Sequence, residues 1–182
     1  MEGSERTIAS EIAVAYNAPP MSIDPSMLDG ALRERFGLEA LKPWQREAIE
    51  GLSGPPHEDG SPRRSLVIAP TGGGKSLTYQ LPAAMLPGTS VVISPLVALM
   101  DDQVRALEAR GIPATYLAST LSPEERRARM DRLRSGKVKL VYVAPERLAN
   151  EGALADLSRL RPPLVAIDEA HCISQWLSLI HI

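Results

Sequence analysis

The stretch Ala69-Pro-Thr-Gly-Gly-Gly-Lys-Ser76 decides how the fold of this chain is interpreted. It follows the apolar run at residues 66–68 and leads into residues 77–81, which is the strand, glycine-rich turn and helix order that a phosphate-binding loop requires. Adjacent glycines let successive backbone N–H groups converge on one anion, and the positive end of the next helix points at the same place. The pattern usually begins with glycine, and Ala69 is a small replacement there.

This loop predicts a nucleotide site. Lys75 can reach the β- and γ-phosphates, and the Ser76 hydroxyl can ligate Mg²⁺, so ATP and Mg²⁺ are the expected cofactors. A flexible turn that holds a lysine by chance is the alternative, and the flanking strand and helix make it the weaker one. The expected phosphate-binding residues are Thr71, Gly72, Gly73, Gly74, Lys75 and Ser76.

A second acidic element completes the predicted site. The apolar run at residues 164–167 ends in Asp168-Glu-Ala-His171. A carboxylate at the C-terminal tip of a parallel strand is expected to lie beside the phosphate loop of a neighbouring strand. Asp168 can then hold Mg²⁺, and Glu169 can orient and polarise the attacking water. Taken alone, these four residues could be the polar start of a helix. The glycine loop and this acidic element together supply the two halves of one nucleotide site, which favours a catalytic role.

Composition sets the limits on location and partners. The 182 residues can bury one full core, and the formal net charge of −2 gives no global attraction to nucleic acid. Cys172 is the single cysteine, which excludes an intramolecular disulfide and suits a reducing compartment such as the cytoplasm. The acidic, polar N-terminus argues against a signal peptide, and no apolar run approaches about 18 residues, so no membrane partner is expected.

Strand and helix patterns alternate along most of the chain. This alternation predicts an α/β fold with a parallel sheet and helices on both faces. Residues 1–27 are interpreted as an N-terminal extension, with a short helix possible at residues 8–16. The predicted strands are 66–68, 91–93, 114–117, 140–143 and 164–167, and the predicted helices are 28–36, 43–50, 75–85, 94–110, 123–135 and 154–160.

Five segments together resemble the N-terminal motor domain of RecQ-type DNA helicases in superfamily 2. They lie at residues 36–49, 69–83 (APTGGGKSLTYQLPA), 91–104 (VVISPLVALMDDQV), 142–148 and 168–176 (DEAHCISQW). The resemblance implies a RecA-like, P-loop ATP-binding domain over residues 28–176. It also implies single-stranded or partly duplex DNA as the partner and DNA unwinding with 3′-to-5′ polarity as the activity of the parent protein.

The resemblance assigns further nucleotide-site roles. Gln45 occupies the position of the family's adenine-reading glutamine, and His171 that of the histidine that couples the ATP site to DNA. The family's stacking aromatic and arginine correspond to Leu38 and Lys42. Leucine offers no π-stack and lysine no planar guanidinium, so looser selectivity for the base is expected.

The resemblance also places DNA-binding residues. Ser94 and Pro95 are expected to open a helix whose free N–H groups bind a phosphate, although a simple N-cap explains them as well. Pro145 and Arg147 follow a strand and would face single-stranded DNA, unless Glu146 and Arg147 form a surface ion pair. Trp176 would stack on a base, or pack in the core. The arginines at residues 126–134 are interleaved with acids, which favours a solvated helix face over a DNA patch.

The match breaks after Trp176, where residues 177–182 (Leu-Ser-Leu-Ile-His-Ile) look foreign to the family. The domain is therefore interpreted as truncated and its sheet as incomplete, with apolar surface left on residues 164–167 and the second RecA-like domain missing. We expect little ATPase activity and no unwinding from this chain alone. Two alternatives stay open: an RNA-directed helicase of the same superfamily, and a non-motor fragment that binds nucleotide without turnover.

Overall fold

The computed structural model describes residues 9–16, 23–52, 63–70, 72–148 and 151–170, with only the backbone described for residues 9–16. The strands are β1 (Ala9–Tyr16), β2 (Arg64–Pro70), β3 (Ser90–Ile93), β4 (Ala114–Leu117), β5 (Leu140–Val143) and β6 (Leu164–Asp168). The helices are α1 (Pro25–Phe36), α2 (Pro43–Leu52), α3 (Leu77–Met85), α4 (Val97–Glu108), α5 (Pro123–Arg134) and α6 (Glu151–Arg159), with a 3₁₀ turn at Pro145–Arg147.

The six strands form one sheet in the order β2-β1-β6-β3-β5-β4. Strands β6, β3, β5 and β4 pair in parallel, whereas β1 pairs antiparallel with both β2 and β6. Five strands therefore point in one direction and β1 alone is reversed. The predicted α/β fold with a parallel sheet is confirmed for those five strands.

The predicted helix at residues 8–16 is wrong, because β1 occupies this segment and lies inside the sheet. The expectation that the phosphate-loop strand and the acidic strand are neighbours is also wrong, since β1 separates β2 from β6. Ile12 pairs with Val67 on one side and with Asp168 on the other. The two functional strands are thus two strand spacings apart, about 9–10 Å, but their C-terminal ends lie at the same edge of the sheet.

Helices cover both faces of the sheet, as predicted. The larger core lies beneath α1 to α4, and its buried residues include Leu32, Ile49, Leu81, Val92, Met100, Tyr142 and Ala166. The smaller core lies beneath α5 and α6 on the opposite face, and it contains Val91, Leu117, Leu133, Val141, Val143 and Leu157. Among the described residues, no helix is both long and apolar enough to cross a membrane.

Strand β2 exposes two of the large apolar side chains among the described residues. Leu66 and Ile68 are 62% and 60% exposed, while Val67 between them is buried. We expected such exposure on residues 164–167, and that expectation is wrong: Leu164 and Ala166 are buried, and Val165 and Ile167 are half-buried. Strand β6 is central in the sheet, whereas β2 forms its edge.

Local capping accounts for several helix boundaries. Asp24 accepts the N–H of Ser26 at the start of α1, and Gly37 ends that helix in the left-handed conformation. Helix α4 begins at Val97 with Leu96 as its cap, so the predictions of Ser94 as the N-cap and Pro95 as the first helical residue are wrong. The N–H of Ser94 donates to the carbonyl of Val143 (3.1 Å), which extends the β3–β5 register by one residue and delays the helix.

Candidate nucleotide-binding site

The glycine loop is folded around its own lysine. Lys75 is buried, and its Nζ donates to the carbonyl oxygens of Ala69 (3.0 Å) and Pro70 (3.1 Å). These carbonyls satisfy an ammonium group that would otherwise be buried without partners. A phosphate that reached this loop would offer Lys75 stronger, charge-assisted acceptors in place of two neutral carbonyls.

Two glycines of the loop are required by close contacts. A Cβ on Gly73 would lie 2.8 Å from the carbonyl oxygen of Pro70, and one on Gly74 would lie 2.8 Å from Nε2 of Gln45. Gly74 also has a φ of 88°, which L side chains rarely adopt. The sequence Gly-Gly-Gly therefore reflects how tightly the backbone turns here.

Two side chains near the start of α2 hold this loop from outside. Lys42 Nζ donates to the carbonyl of Gly73 (2.9 Å), and Gln45 Nε2 donates to the carbonyl of Gly74 (2.8 Å). The amide oxygen of Gln45 accepts the backbone N–H of Lys42 (2.9 Å). Sequence analysis assigned Gln45 and Lys42 to base recognition; in the structure both ends of the Gln45 amide are engaged in positioning the phosphate loop.

The N-terminal end of α3 presents unused donors. The backbone N–H groups of Gly74, Lys75 and Ser76 donate to no other residue in the described parts of the chain. Ser76 stands at the N-cap position, and its hydroxyl makes no capping hydrogen bond. Backbone donors and the helix dipole together suit an anion, and a serine hydroxyl is an oxygen donor that suits a metal ligand. Thr71, which was predicted to belong to this cradle, lies outside the described residues.

Asp168 is a buried carboxylate without an ion pair to any described residue. Burial raises its pKa, and the charge of Glu169 raises it further. The backbone N–H of Glu169, the ammonium of Lys75 and the hydroxyl of Tyr79 act in the opposite direction on that pKa. Strands β2 and β6 point in the same direction, so the lysine-bearing loop and Asp168 lie at the same edge of the sheet; that they share one magnesium–nucleotide site stays a prediction.

Glu169 follows in a strained conformation. Its φ is 54°, a left-handed value that costs a residue with a Cβ about 1–2 kcal/mol, and its N–H donates to Oδ1 of Asp168 (3.0 Å). Such strain is concentrated at functional sites. The turn keeps the two carboxylates adjacent at the tip of β6, while His171, the predicted coupling residue, lies outside the described residues.

The residues present fit a magnesium ion. The Ser76 hydroxyl and the Asp168 carboxylate are hard oxygen donors, and Mg²⁺ typically takes only one or two protein ligands beside water and phosphate oxygens. A divalent cation would also compensate the buried charge of Asp168. No cluster of three or more His, Cys, Asp or Glu side chains occurs among the described residues, so a cage made wholly of protein ligands is not indicated there.

A polar network that the sequence patterns did not predict lies on α3, β5 and α4, next to this site. Tyr79, one helical turn after Ser76, is completely buried, and its ring meets the ring of Tyr142 edge to face at 6.4 Å. Gln80 Nε2 donates to the Tyr142 hydroxyl (2.9 Å) and to Oε1 of Gln103 on α4 (2.6 Å). Burial raises the pKa of Tyr142 to about 12. Only the tyrosine and glutamine within an otherwise apolar helix could have signalled this network.

The predicted DNA-binding residues lie at the ends of β3 and β5. Ser94 and Pro145 are buried, and Pro95 is half-buried. The buried Nε of Arg147 has no hydrogen-bond partner among the described residues, while Glu146 accepts a hydrogen bond from Ser119 (3.1 Å). Within the described residues no ion pair joins Glu146 to Arg147, and Trp176 lies outside them.

Three arginines of α5 are engaged in protein contacts. Arg129 donates to the carbonyl of Tyr116 and stacks over its ring at 3.9 Å. Arg132 pairs with Glu108, and Arg134 pairs with Asp156. These contacts agree with the interpretation of α5 as a solvated, ion-paired face.

The fold and the site together define a P-loop nucleotide-binding domain of the RecA-like class. Residues 42–181 match the DEAD/DEAH box helicase family, and the chain belongs to that family. It is 48% identical over 145 residues to the ATP-dependent DNA helicase RecQ of Bacillus subtilis, which covers 80% of this chain and 24% of the relative. It is 44% identical over 142 residues to the protein of that name from Pasteurella multocida (78% of this chain, 21% of the relative).

A third relative, the ATP-dependent DNA helicase RecQ of Synechocystis, is 40% identical over 155 residues, or 84% of this chain and 31% of the relative. The resemblance to RecQ-type helicases is confirmed by these relatives. The chain spans about a quarter of the length of the first two relatives.

Proposed function

We propose that this chain is the first, nucleotide-binding motor domain of a RecQ-type, ATP-dependent DNA helicase that unwinds DNA with 3′-to-5′ polarity. The observation that carries the proposal is that buried Lys75 and buried Asp168, which makes no ion pair with a described residue, lie at the same end of the sheet. A second RecA-like domain, cytoplasmic location beside the nucleoid, and a role for the parent protein in DNA repair and recombination belong to the same proposal, and rest on the resemblance and the composition.

Different residues of the chain would bind the phosphates, hold the metal ion and activate the attacking water. The loop N–H groups and Lys75 bind the β- and γ-phosphates, and Ser76 and Asp168 hold Mg²⁺, which neutralises phosphate charge when it is bound. Glu169 orients the attacking water and accepts its proton. Gln45 and Lys42 keep the loop in place, and Gln45 contacts adenine only after exchanging a hydrogen bond that it now makes to the protein.

Nucleotide binding is the first test. Titration of the 182-residue chain with a fluorescent ATP analogue in Mg²⁺ should show saturable binding. Lys75→Ala should weaken it at least about tenfold, because charge-assisted hydrogen bonds to phosphate are lost. Lys137→Ala, which removes an exposed lysine, is the matched control and should stay within twofold of the original chain. Equal affinity of the Lys75 variant and the original chain would contradict the assignment.

DNA binding is the second test, and Arg147 is the residue to change. We expect fluorescence anisotropy to show tighter binding of single-stranded DNA than of RNA of the same sequence. Arg147→Ala should weaken DNA binding and lower the slope of log affinity against log salt by about one, because one phosphate contact is lost. Arg132→Ala is the control. Because the guanidinium of Arg132 is paired with Glu108, this substitution should leave the DNA affinity and its salt dependence unchanged. A preference for RNA would instead support the RNA-directed alternative.

ATP hydrolysis is to be measured in a longer protein that carries both motor domains. There, Lys75→Ala and Glu169→Gln should each abolish ATP hydrolysis, while the Glu169 variant keeps nucleotide affinity because it removes only the base. ATPase rates within twofold of the unmodified protein would refute the assignment of either residue.

A further inference from the structure

The side chain of Gln80 joins α3, the helix that follows the phosphate loop, to α4 and β5. Its Nε2 donates to Oε1 of Gln103 on α4 (2.6 Å) and to the hydroxyl of Tyr142 on β5 (2.9 Å). Both hydrogens of the amide group are thereby used. These three side chains, Gln80, Gln103 and Tyr142, are called the amide bridge below. The proposed ATP chemistry uses none of them.

The amide bridge is largely shielded from water. Gln80 and Tyr142 are buried, and Gln103 is half-buried. If α3 moved relative to α4 or β5, the Gln80 amide would lose a hydrogen-bond partner in a place where water does not readily replace it, and a buried donor without a partner is costly. The amide bridge therefore ties the position of α3 to the positions of α4 and β5.

One end of the amide bridge lies a helical turn from the phosphate loop. Gln80 is four residues after Ser76, so both side chains lie on the same face of α3. To bind a phosphate, Lys75 must give up the carbonyl groups of Ala69 and Pro70. This exchange takes place directly before the first turn of α3, and Gln80 ends that turn.

The other end of the amide bridge leads to the predicted DNA-binding residues. Gln103 lies on α4, the helix that follows Ser94 and Pro95 at the end of β3. Tyr142 lies on β5, three residues before Pro145, which opens the 3₁₀ turn. Gln80 is thus hydrogen-bonded to both of the elements that carry or directly follow a predicted DNA contact.

We propose that the amide bridge couples the two binding sites: the hydrogen bonds from Gln80 to Gln103 and Tyr142 transmit the state of the phosphate loop to the ends of β3 and β5, so that bound nucleotide changes the affinity for single-stranded DNA. This inference rests on the proposed function and deepens it, because it names residues that regulate the site. All three are positioning residues, which act through α3, α4 and β5 and not by contact with either ligand.

The first experiment measures the coupling in the 182-residue chain. Fluorescence anisotropy gives the Kd for single-stranded DNA without nucleotide and with a saturating, non-hydrolysable ATP analogue and Mg²⁺; the coupling factor is the larger Kd divided by the smaller. Couplings between sites are typically about 5–150-fold, so we expect a factor of at least about fivefold. Gln103→Leu removes the acceptor of the Gln80 amide and should lower the factor at least about threefold.

Gln103→Glu is the matched control, because it keeps an oxygen acceptor at the same place. Its coupling factor should stay within about twofold of the original. The factor is a ratio of two affinities of one variant, so a uniform loss of DNA affinity does not change it. A factor below about fivefold in the original chain, or a smaller reduction than about threefold in Gln103→Leu, would overturn the proposal.

Tyr142→Phe tests the other branch of the amide bridge and does not depend on how the Gln103 variants fold. It removes the hydroxyl that accepts from Gln80 and keeps the ring, and it should lower the coupling factor at least about twofold. Tyr116→Phe removes a hydroxyl from β4, outside the amide bridge, and should retain the original factor. An unchanged factor in Tyr142→Phe, or an equal fall in both tyrosine variants, would contradict a role for this branch and overturn the proposal.

The same titrations separate failure of this inference from failure of the proposed function. If the original chain binds no nucleotide or no single-stranded DNA, the proposed function fails and the inference fails with it. If both ligands bind and the coupling factor is close to one, or is the same in Gln103→Leu as in the original chain, the proposed function stands and the amide bridge does not couple the sites.

Discussion

At the scale of single residues, the lysine and the carbonyl groups of the phosphate loop have partners within the protein, whereas the N–H groups of residues 74–76 have none among the described residues. Lys75 is held by two carbonyls of its own loop, and Lys42 and Gln45 bind the carbonyls of Gly73 and Gly74. A bound phosphate can therefore accept from the N–H groups directly, but it can accept from Lys75 only if that ammonium gives up its carbonyl partners. That exchange favours charged phosphate oxygens over neutral ligands, because charge-assisted hydrogen bonds are about twice as strong as neutral ones.

Gly74 and Gly30 provide a matched pair of substitutions. Gly74→Ala forces a Cβ onto a φ of 88° and against the Gln45 amide, which should cost about 1–2 kcal/mol and lower Tm by about 2–8 °C. Gly30 is an exposed residue of helix α1, and no atom lies within 4 Å of the position that an added Cβ would take. Gly30→Ala should therefore raise Tm by about 1–4 °C.

Thermal melts and nucleotide titrations of both glycine variants check this prediction. Gly74→Ala should also weaken nucleotide binding, whereas Gly30→Ala should leave it unchanged. A Gly74→Ala chain as stable as the original would show that the loop relaxes without cost.

At the scale of elements, α5 illustrates a helix specified by its own first turn. Ser122 accepts the N–H of Glu125 (3.1 Å), and Glu125 accepts the N–H of Ser122 (2.9 Å), which completes a capping box. Pro123 at the first position and Gly136 beyond the end complete the boundaries. Such a helix is predictable because all of its signals are local.

The capping box predicts a dependence of stability on pH. Hydrogen bonds from the Ser122 backbone N–H and hydroxyl lower the pKa of Glu125 below its ordinary value of 4.5. The unfolded chain therefore takes up this proton first as the pH falls. The stabilisation is fully present above pH 4.5 and is lost as the pH falls through the lowered, folded-state value.

Glu125→Ala should accordingly lower Tm at pH 7, and its difference from the original chain should shrink in melts below pH 4.5. Glu124→Ala removes an equal charge from the same turn without breaking the box, and it should show a smaller change. A Glu125 effect that is constant with pH would exclude the ionised cap.

At the scale of the whole molecule, the reversed strand β1 determines how the two halves of the site are spaced. It pairs with β2 over residues 9–15 and with β6 over residues 12–16. The sheet is thereby continuous between the phosphate loop and the acidic strand end. Strand β2 is consequently at one edge of the sheet, and its Leu66 and Ile68 side chains are exposed.

This edge predicts self-association. Leu66→Thr combined with Ile68→Thr keeps strand propensity and removes the exposed apolar pair, so association measured by light scattering should fall with little change in Tm. Val67→Thr places a hydroxyl in the buried position between them, and should lower Tm without reducing association. If the double variant associates as strongly as the original chain, Leu66 and Ile68 do not mediate self-association.

The sequence by itself determined the local parts of this protein. Strands β4 and β5 occur at the predicted residues, α5 begins at its capping box, and Gly37 ends α1. The glycine loop and Asp168 were also recognisable, because strand, turn and helix signals lie next to the functional side chains. Each of these features depends on residues only a few positions apart.

Only the tertiary structure decided the contacts between distant segments. Strand β1 joins partners more than fifty and more than one hundred and fifty residues away (Ala9 with Pro70, Ile12 with Asp168), and its composition alone did not distinguish a strand from a short helix. The attachment of Gln45 to Gly74 and the edge-to-face contact of Tyr79 with Tyr142 likewise depend on packing. Local patterns carry no information about which distant surface buries a group, and burial decides what each of these side chains can do.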